Sequence, residues 1–141
     1  MVSVEQVLNL LEINEKIPEA SNPVPCSITS GKIEFKNVSF TYDEKLPPEE
    51  QTTVIDKLNF VVEAGSTVGI VGQTGSGKST IMRLIYRFYD LKEGQILIDG
   101  VDISQCRLHE LRDKIAIVPQ DCVLFNDSIL YNVAYGGIND G

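Results

Sequence analysis

The sequence predicts an α/β fold in which an antiparallel β layer feeds a buried parallel sheet. Three observations point to it. Apolar residues alternate over 33–42 and again over 58–62, the pattern of strands with one buried face. Thr67-Val68-Gly69-Ile70-Val71 is short, apolar and β-branched, as a parallel strand covered on both faces should be. A Gly-rich stretch follows it directly and opens a helix in which Ile81, Leu84, Ile85 and Phe88 recur at i, i+3, i+4 and i+7.

Taken in order, Ser3 to Glu15 reads as a helix, with Val4, Val7, Leu8 and Leu11 in one stripe and Ser3 with Gln6 as a capping box. It is too short to stand alone, so its stripe implies a partner surface. Pro18, Pro23 and Pro25 among Ser and Asn mark a linker from about Ile17 to Ser30, and the globular part is expected from Gly31. Ile33 and Phe35 share one parity, whereas Val38, Phe40 and Tyr42 share the other. The phase change at Lys36-Asn37 predicts a bulge or bend. Asp43 to Thr53, with Pro47-Pro48 and several acidic residues, reads as an exposed loop, and Leu58, Phe60 and Val62 as the next strand. After the helix, Lys92-Glu93-Gly94 turns into a strand over 95–98, and Asp99-Gly100 turns into Val101-Asp102-Ile103. Arg107 to Arg112 is a short helix, and Lys114 to Val118 a second buried strand stopped by Pro119. Gln120 then falls at that strand's C-terminal end, where α/β folds place ligand-contacting groups.

The stretch Gly72-Gln73-Thr74-Gly75-Ser76-Gly77-Lys78-Ser79-Thr80 fits the P-loop pattern G-x-x-x-x-G-K-[ST], which names a nucleoside triphosphate with Mg²⁺. The glycines let the backbone wrap a phosphate, and the amides with the positive helix end form an anion nest. Lys78 supplies a mobile charge for the β- and γ-phosphates, Ser79 a hydroxyl for Mg²⁺, and Thr80 is within reach of the α-phosphate. The alternative is a Gly/Ser-rich turn that happens to carry a lysine. Strand, loop and helix in succession favour the nucleotide site.

Composition narrows the classes. A 43% hydrophobic chain can build a core, and a net charge of −8 argues against nucleic acid as a partner. No apolar run approaches the roughly 20 residues that span a bilayer, and the N-terminus lacks the basic start and continuous apolar core of a signal peptide. Cys26, Cys106 and Cys122 are odd in number and lack C-x-x-C spacing, so free thiols are expected. His109 lies among charged neighbours and is expected on the surface.

The chain resembles the nucleotide-binding domain of ABC transporters. The resemblance rests on 31–42, the P-loop, Arg87-Phe88-Tyr89-Asp90, Gly94 to Gly100, and Ile117-Val118-Pro119-Gln120-Asp121, in the family's order. It implies an ABC-type P-loop NTPase core with an antiparallel β-subdomain. Leu108, Leu111-Arg112 and the Arg87–Asp90 run resemble the exporter branch. The stretch from Val123 to Asn132 is similar to the mitochondrial half-transporters of the iron–sulfur and heavy-metal group, with peptide, lipid or multidrug exporters as the alternative. By that resemblance Tyr42 stacks on adenine, for which the ring and not the hydroxyl is needed, so phenylalanine is expected to serve there. Gln120 reaches Mg²⁺ and the attacking water, and Lys78 and Gln120 serve hydrolysis. Leu124 to Tyr131 receives the coupling helices of a transmembrane domain; those residues could instead be simple core.

The resemblance further implies a head-to-tail dimer with a second nucleotide-binding domain, membrane association within a transporter, and a mitochondrial inner-membrane location. Residues 1–30 then read as helix and linker from a membrane domain, and 31–141 as the N-terminal part of the nucleotide-binding domain. The family's Leu-Ser-Gly-Gly-Gln signature, metal-binding Asp, catalytic Glu and switch His do not occur among the 141 residues, and the loop after Tyr42 is longer than usual. The expectation is an incomplete parallel sheet that binds nucleotide without turnover and associates through its exposed edge. A stand-alone nucleotide-binding module, or a soluble ATPase of DNA repair or translation, is the competing reading. The tether-like helix and the exporter-like Arg87–Asp90 run weigh against them.

Overall fold

The computed structural model describes residues 17–42, 47, 51–118 and 124–135. The strands β1 (Ile33–Thr41), β2 (Thr53–Val62), β3 (Glu93–Ile98) and β4 (Val101–Asp102) form one antiparallel sheet in the order β2-β1-β3-β4. The described helices are α1 (Lys78–Ile85), α2 (Leu108–Arg112) and α3 (Ile129–Ala134). The expected helix at Ser3–Glu15, most of the loop after Tyr42, Gln120 and Cys122 lie outside the described residues.

β1 buries both of its apolar phases on one face because it bulges where the phase changes. Asn37 takes a left-handed φ of 50°, and the pairing with β2 slips between Phe35 and Val38. Phe35, Val38 and Phe40 are all buried as a result, while Lys36 and Asn37 face solvent. Two asparagines staple the bulge. Asn37 N–H donates to Asn59 Oδ1 at 2.9 Å, and Asn59 Nδ2 donates to Asn37 Oδ1 at 2.9 Å and to Lys57 O at 2.8 Å. From the β3 side, Gly94 (φ +85°) lies against the bulged backbone. A Cβ there would come within 2.5 Å of Lys36 O and Asn37 C, and closer still to Asn37 O. Glycine alone fits that approach.

The core forms where α1 and α2 meet the sheet. Phe35 stacks on Phe60 across the β1–β2 pair, with centroids 4.4 Å apart, and Leu84, Ile96, Ile98, Ile103 and Leu111 are buried with it. An eight-residue helix is marginal by itself. Burial of Leu84, 1% exposed, with partial burial of Ile81 and Ile85, holds α1 in place; a fully buried side chain of this size contributes about 1.5–3 kcal/mol. Phe88 leaves the expected stripe and is largely exposed. The helix ends before it, and Arg87 at φ 53° turns the chain away.

The segment read as a linker is strapped to the domain. Val24 N–H donates to Gln105 O, Cys26 N–H to Glu110 Oε2, and Arg87 Nη2 to Pro18 O. Glu19 accepts from Leu108 N–H at the start of α2. Asp99 accepts the amides of Thr29, Ser30, Gly31 and Lys32 at 2.7–3.0 Å and the Ser30 hydroxyl at 2.5 Å. The Ser30 hydroxyl first, then the amides, hold the Asp99 carboxyl well below the usual range. Cys26 and Cys106 are free and buried side by side in the core, where burial raises the Cys106 pKa.

Two expected strands are absent. Neither Thr67–Val71 nor Lys114–Val118 is in a ladder, and Val71 and Val118 are 93% and 88% exposed. A parallel strand exists through its hydrogen-bonded neighbours, and no described strand pairs with either segment. The sheet observed is the antiparallel one.

Candidate functional site

The glycine-rich loop ends at Gly77, the N-cap of α1, whose φ of 86° turns the chain into the helix. The cap carries no side-chain hydrogen bond, and the first turn of α1 holds no acidic residue. The first amides of the helix are therefore left for a ligand, at the end whose partial charge is positive. A Cβ at Gly77 would press Val54 O at 3.3 Å, so the loop seats directly on β2. Lys78 arches back across the loop, donating through Nζ to Gly72 O at 2.8 Å and Gln73 O at 2.6 Å. An anion entering the loop meets backbone amides and an ammonium group that has two neutral carbonyls to exchange for it.

Tyr42 stands at the end of β1 and faces the same cleft. Phe40 and Tyr89 meet its ring edge-on at 4.8 and 5.1 Å. Its hydroxyl shares a 2.9 Å hydrogen bond with Thr80 Oγ1 and accepts from Arg83 Nη1 at 3.1 Å. That bond raises the Arg83 pKa. The cleft measures ≈ 490 Å³ and is lined by Tyr42, Thr74, Gly75, Lys78, Ser79 and Arg83 among others. An aromatic face at one end, with amides and a cation at the other, fits a nucleoside polyphosphate. The Ser79 hydroxyl in the same cleft suits a hard divalent cation, and the other expected ligand, Gln120, is outside the described residues.

Arg83 is missing from the sequence reading above. Its spacing was the available signal: four residues after Ser79 on the helix, it rises over the same face. The two exporter-like segments also meet. Arg112 donates through Nε to Tyr86 O and through Nη2 to Arg87 O, and its guanidinium lies 5.4 Å from the ring centroids of both Tyr86 and Phe88. A cation there closes the C-terminal end of α1.

The Leu124–Tyr131 region contains the start of α3, capped by Ser128, whose Oγ accepts from Tyr131 N–H. Asn132 ties the helix back to Phe125 in both directions. Leu124, Ile129 and Leu130 are exposed, so among the described residues they are surface and not core. His109 is exposed as expected. Among the described residues there is no group of His, Cys, Asp and Glu that could hold a metal, and no helix long and apolar enough to cross a membrane.

The ABC transporter family matches over residues 55–136. The chain is 42% identical over 135 residues to the "Heavy metal tolerance protein" of Schizosaccharomyces pombe, covering 96% of this chain and 16% of the relative. It is 43% identical over 143 residues to the "Iron-sulfur clusters transporter ATM1, mitochondrial" of Debaryomyces hansenii, covering 99% and 20%. Among solved structures, a bacterial Atm1-family ABC exporter with ATP bound superposes with a TM-score of 0.80 at 43% identity, covering 94% of this chain and 22% of that one. The chain thus spans a fifth or less of the length of these curated relatives.

Proposed function

Since this chain belongs to the ABC transporter family, we propose that it is the ATP-binding part of an exporter that couples hydrolysis to transport across a membrane. The observation that carries the proposal is that one cleft joins the Tyr42 ring to Lys78, Ser79 and Thr80. The residues Gly72, Gln73, Thr74, Gly75, Ser76 and Gly77 wrap the phosphates, Lys78 meets the β- and γ-phosphates, and Tyr42 stacks on the base. When bound, Mg²⁺ neutralises phosphate charge. The Ser79 hydroxyl and the Gln120 amide are the groups suited to hold it.

Gln120 also orients the attacking water, since an amide offers both an acceptor and donors. Turnover requires a second such domain facing the first head to tail, and the exposed Leu124–Tyr131 surface receives the membrane domain's coupling helices. The names of the relatives support a mitochondrial location and a substrate of the iron–sulfur or heavy-metal kind; the inner membrane and a thiol-conjugate substrate belong to the same proposal.

Calorimetric titration with Mg-ATP tests the binding reading. Lys78→Ala is expected to weaken affinity at least tenfold, about 1.4 kcal/mol. Equal affinities in the two proteins would remove the phosphate assignment.

A further inference from the structure

The nucleotide reading treats the base end and the phosphate end of the cleft as separate contacts, yet the structure ties them together. Tyr42 is at the end of β1, and its hydroxyl reaches two residues of α1, Thr80 at 2.9 Å and Arg83 at 3.1 Å. Phe40 and Tyr89 meet the ring edge-on, and the hydroxyl is the end that reaches α1. Arg83 is exposed, and among the described residues the one hydrogen bond of its side chain goes to Tyr42. A long surface arginine gains little from a surface contact unless its planar fork is held in one geometry. Here it is held by a phenol that is itself fixed by Thr80, the last residue of the P-loop stretch.

We propose that Arg83 is a positioning residue for nucleotide recognition. With Thr80 it locks the Tyr42 hydroxyl to the P-loop helix, so that the stacking ring is pre-set when the phosphates bind. The inference rests on the nucleotide reading above. It departs from the expectation that stacking needs the ring alone, because a phenylalanine at 42 keeps the π face and loses both tethers. A pre-set ring spares the ordering of Tyr42 on binding, and that saving appears as affinity for ligands that carry a base. A ligand with phosphates and no base does not use it. Arg83 acts on Tyr42 and not on the phosphates, which already have Lys78 and the helix amides.

Two ligands separate these roles: Mg-ATP, and Mg-tripolyphosphate, which lacks ribose and base. Titration calorimetry is the readout, since the chain has no tryptophan to report binding. Arg83→Ala and Tyr42→Phe are each expected to weaken ATP by roughly three- to tenfold, the net worth of an ordinary hydrogen bond, with tripolyphosphate affinity shifting by less than about twofold. The double variant should be no weaker than Tyr42→Phe alone, because loss of the hydroxyl already removes the Arg83 bond together with the Thr80 bond. Arg83→Lys should recover most of the loss, since an ammonium can still donate to the hydroxyl.

The proposal is overturned if Arg83→Ala weakens both ligands equally, which would make Arg83 a phosphate contact. It is overturned equally if the two single losses multiply in the double variant, or if ATP affinity does not change. Failure of the underlying reading looks different: Lys78→Ala would then leave the affinity for both ligands unaltered.

Discussion

Replacing Gly94 with alanine tests how the β-subdomain is held together. The change adds one methyl group, and the structure sets its cost in two parts. At φ +85° an alanine sits in the left-handed region, about 1–2 kcal/mol above its relaxed state. The new Cβ would also stand within 2.5 Å of Lys36 O and Asn37 C, and nearer to Asn37 O, against about 3.5 Å for a comfortable carbon contact. The obstacle is backbone, and it cannot swing away as a side chain would. Relief requires β1 and β3 to part by about an ångström or slightly more. That loosens the Lys36–Gln95 and Ser39–Glu93 pairings and the bond from Lys92 N–H to Ser39 O.

Losing one or two such bonds adds about 0.5–1.5 kcal/mol each, so the whole change should cost about 1.5–5 kcal/mol. At about 4 °C per kcal/mol for a domain of this size, Tm falls by roughly 6–20 °C. Gly65 supplies the control. It has φ +70° and nothing within 4 Å of a built Cβ, so Gly65→Ala pays the left-handed cost alone, about 4–8 °C. Thermal melts followed by circular dichroism measure both. Equal losses in the two variants would refute the close approach of β3 to the bulge.

Further outcomes follow from other parts of the structure. Leu84→Ala, at a 1% exposed position, should destabilise by about 2–5 kcal/mol; chemical denaturation measures it, and a loss under about 1 kcal/mol would show that α1 is not packed on the sheet. Tyr42→Ala should lose about 1–3 kcal/mol of nucleotide affinity by calorimetry, and an unchanged affinity would remove the base from this end of the cleft. Asp99 has a folded pKa depressed below its ordinary 3.8. Its stabilising effect is therefore complete above that value and is lost as pH falls through it toward the folded pKa. Asp99→Asn should melt below the parent at pH 7, with the gap narrowing below about pH 4; a gap that widens in acid contradicts the role of the strap.

Much of this molecule was legible in one dimension because its signals are local. The P-loop spacing names a phosphate cradle without reference to any neighbour, and Gly77 at φ 86° takes the left-handed position that residue type allows. The parity change at Lys36-Asn37 announced the bulge, since a period-two pattern can switch phase on one face only by inserting a residue. Two expectations failed for a shared reason. Thr67–Val71 and Lys114–Val118 have strand composition, yet a parallel strand is defined by partners distant in sequence, and no described strand pairs with them. The Pro-rich stretch at 18–30 carries the composition of a linker. Its docking depends on Asp99, Glu110 and Arg87, which are 67 to 84 residues away in the bonds they make to it.

The sequence by itself therefore determined the phosphate-loop motif, the order of the antiparallel strands and of the helix after the loop, and the place of the bulge. Each of these depends on residue type and on spacing within a few positions. The tertiary structure alone decided that residues 18–32 are strapped to the sheet, that Arg112 closes the end of α1, and that Tyr42 is tied to Thr80 and Arg83. Those contacts join residues 25 to 89 positions apart. Their energies depend on distances that only a folded chain possesses, and no periodicity in the sequence encodes them.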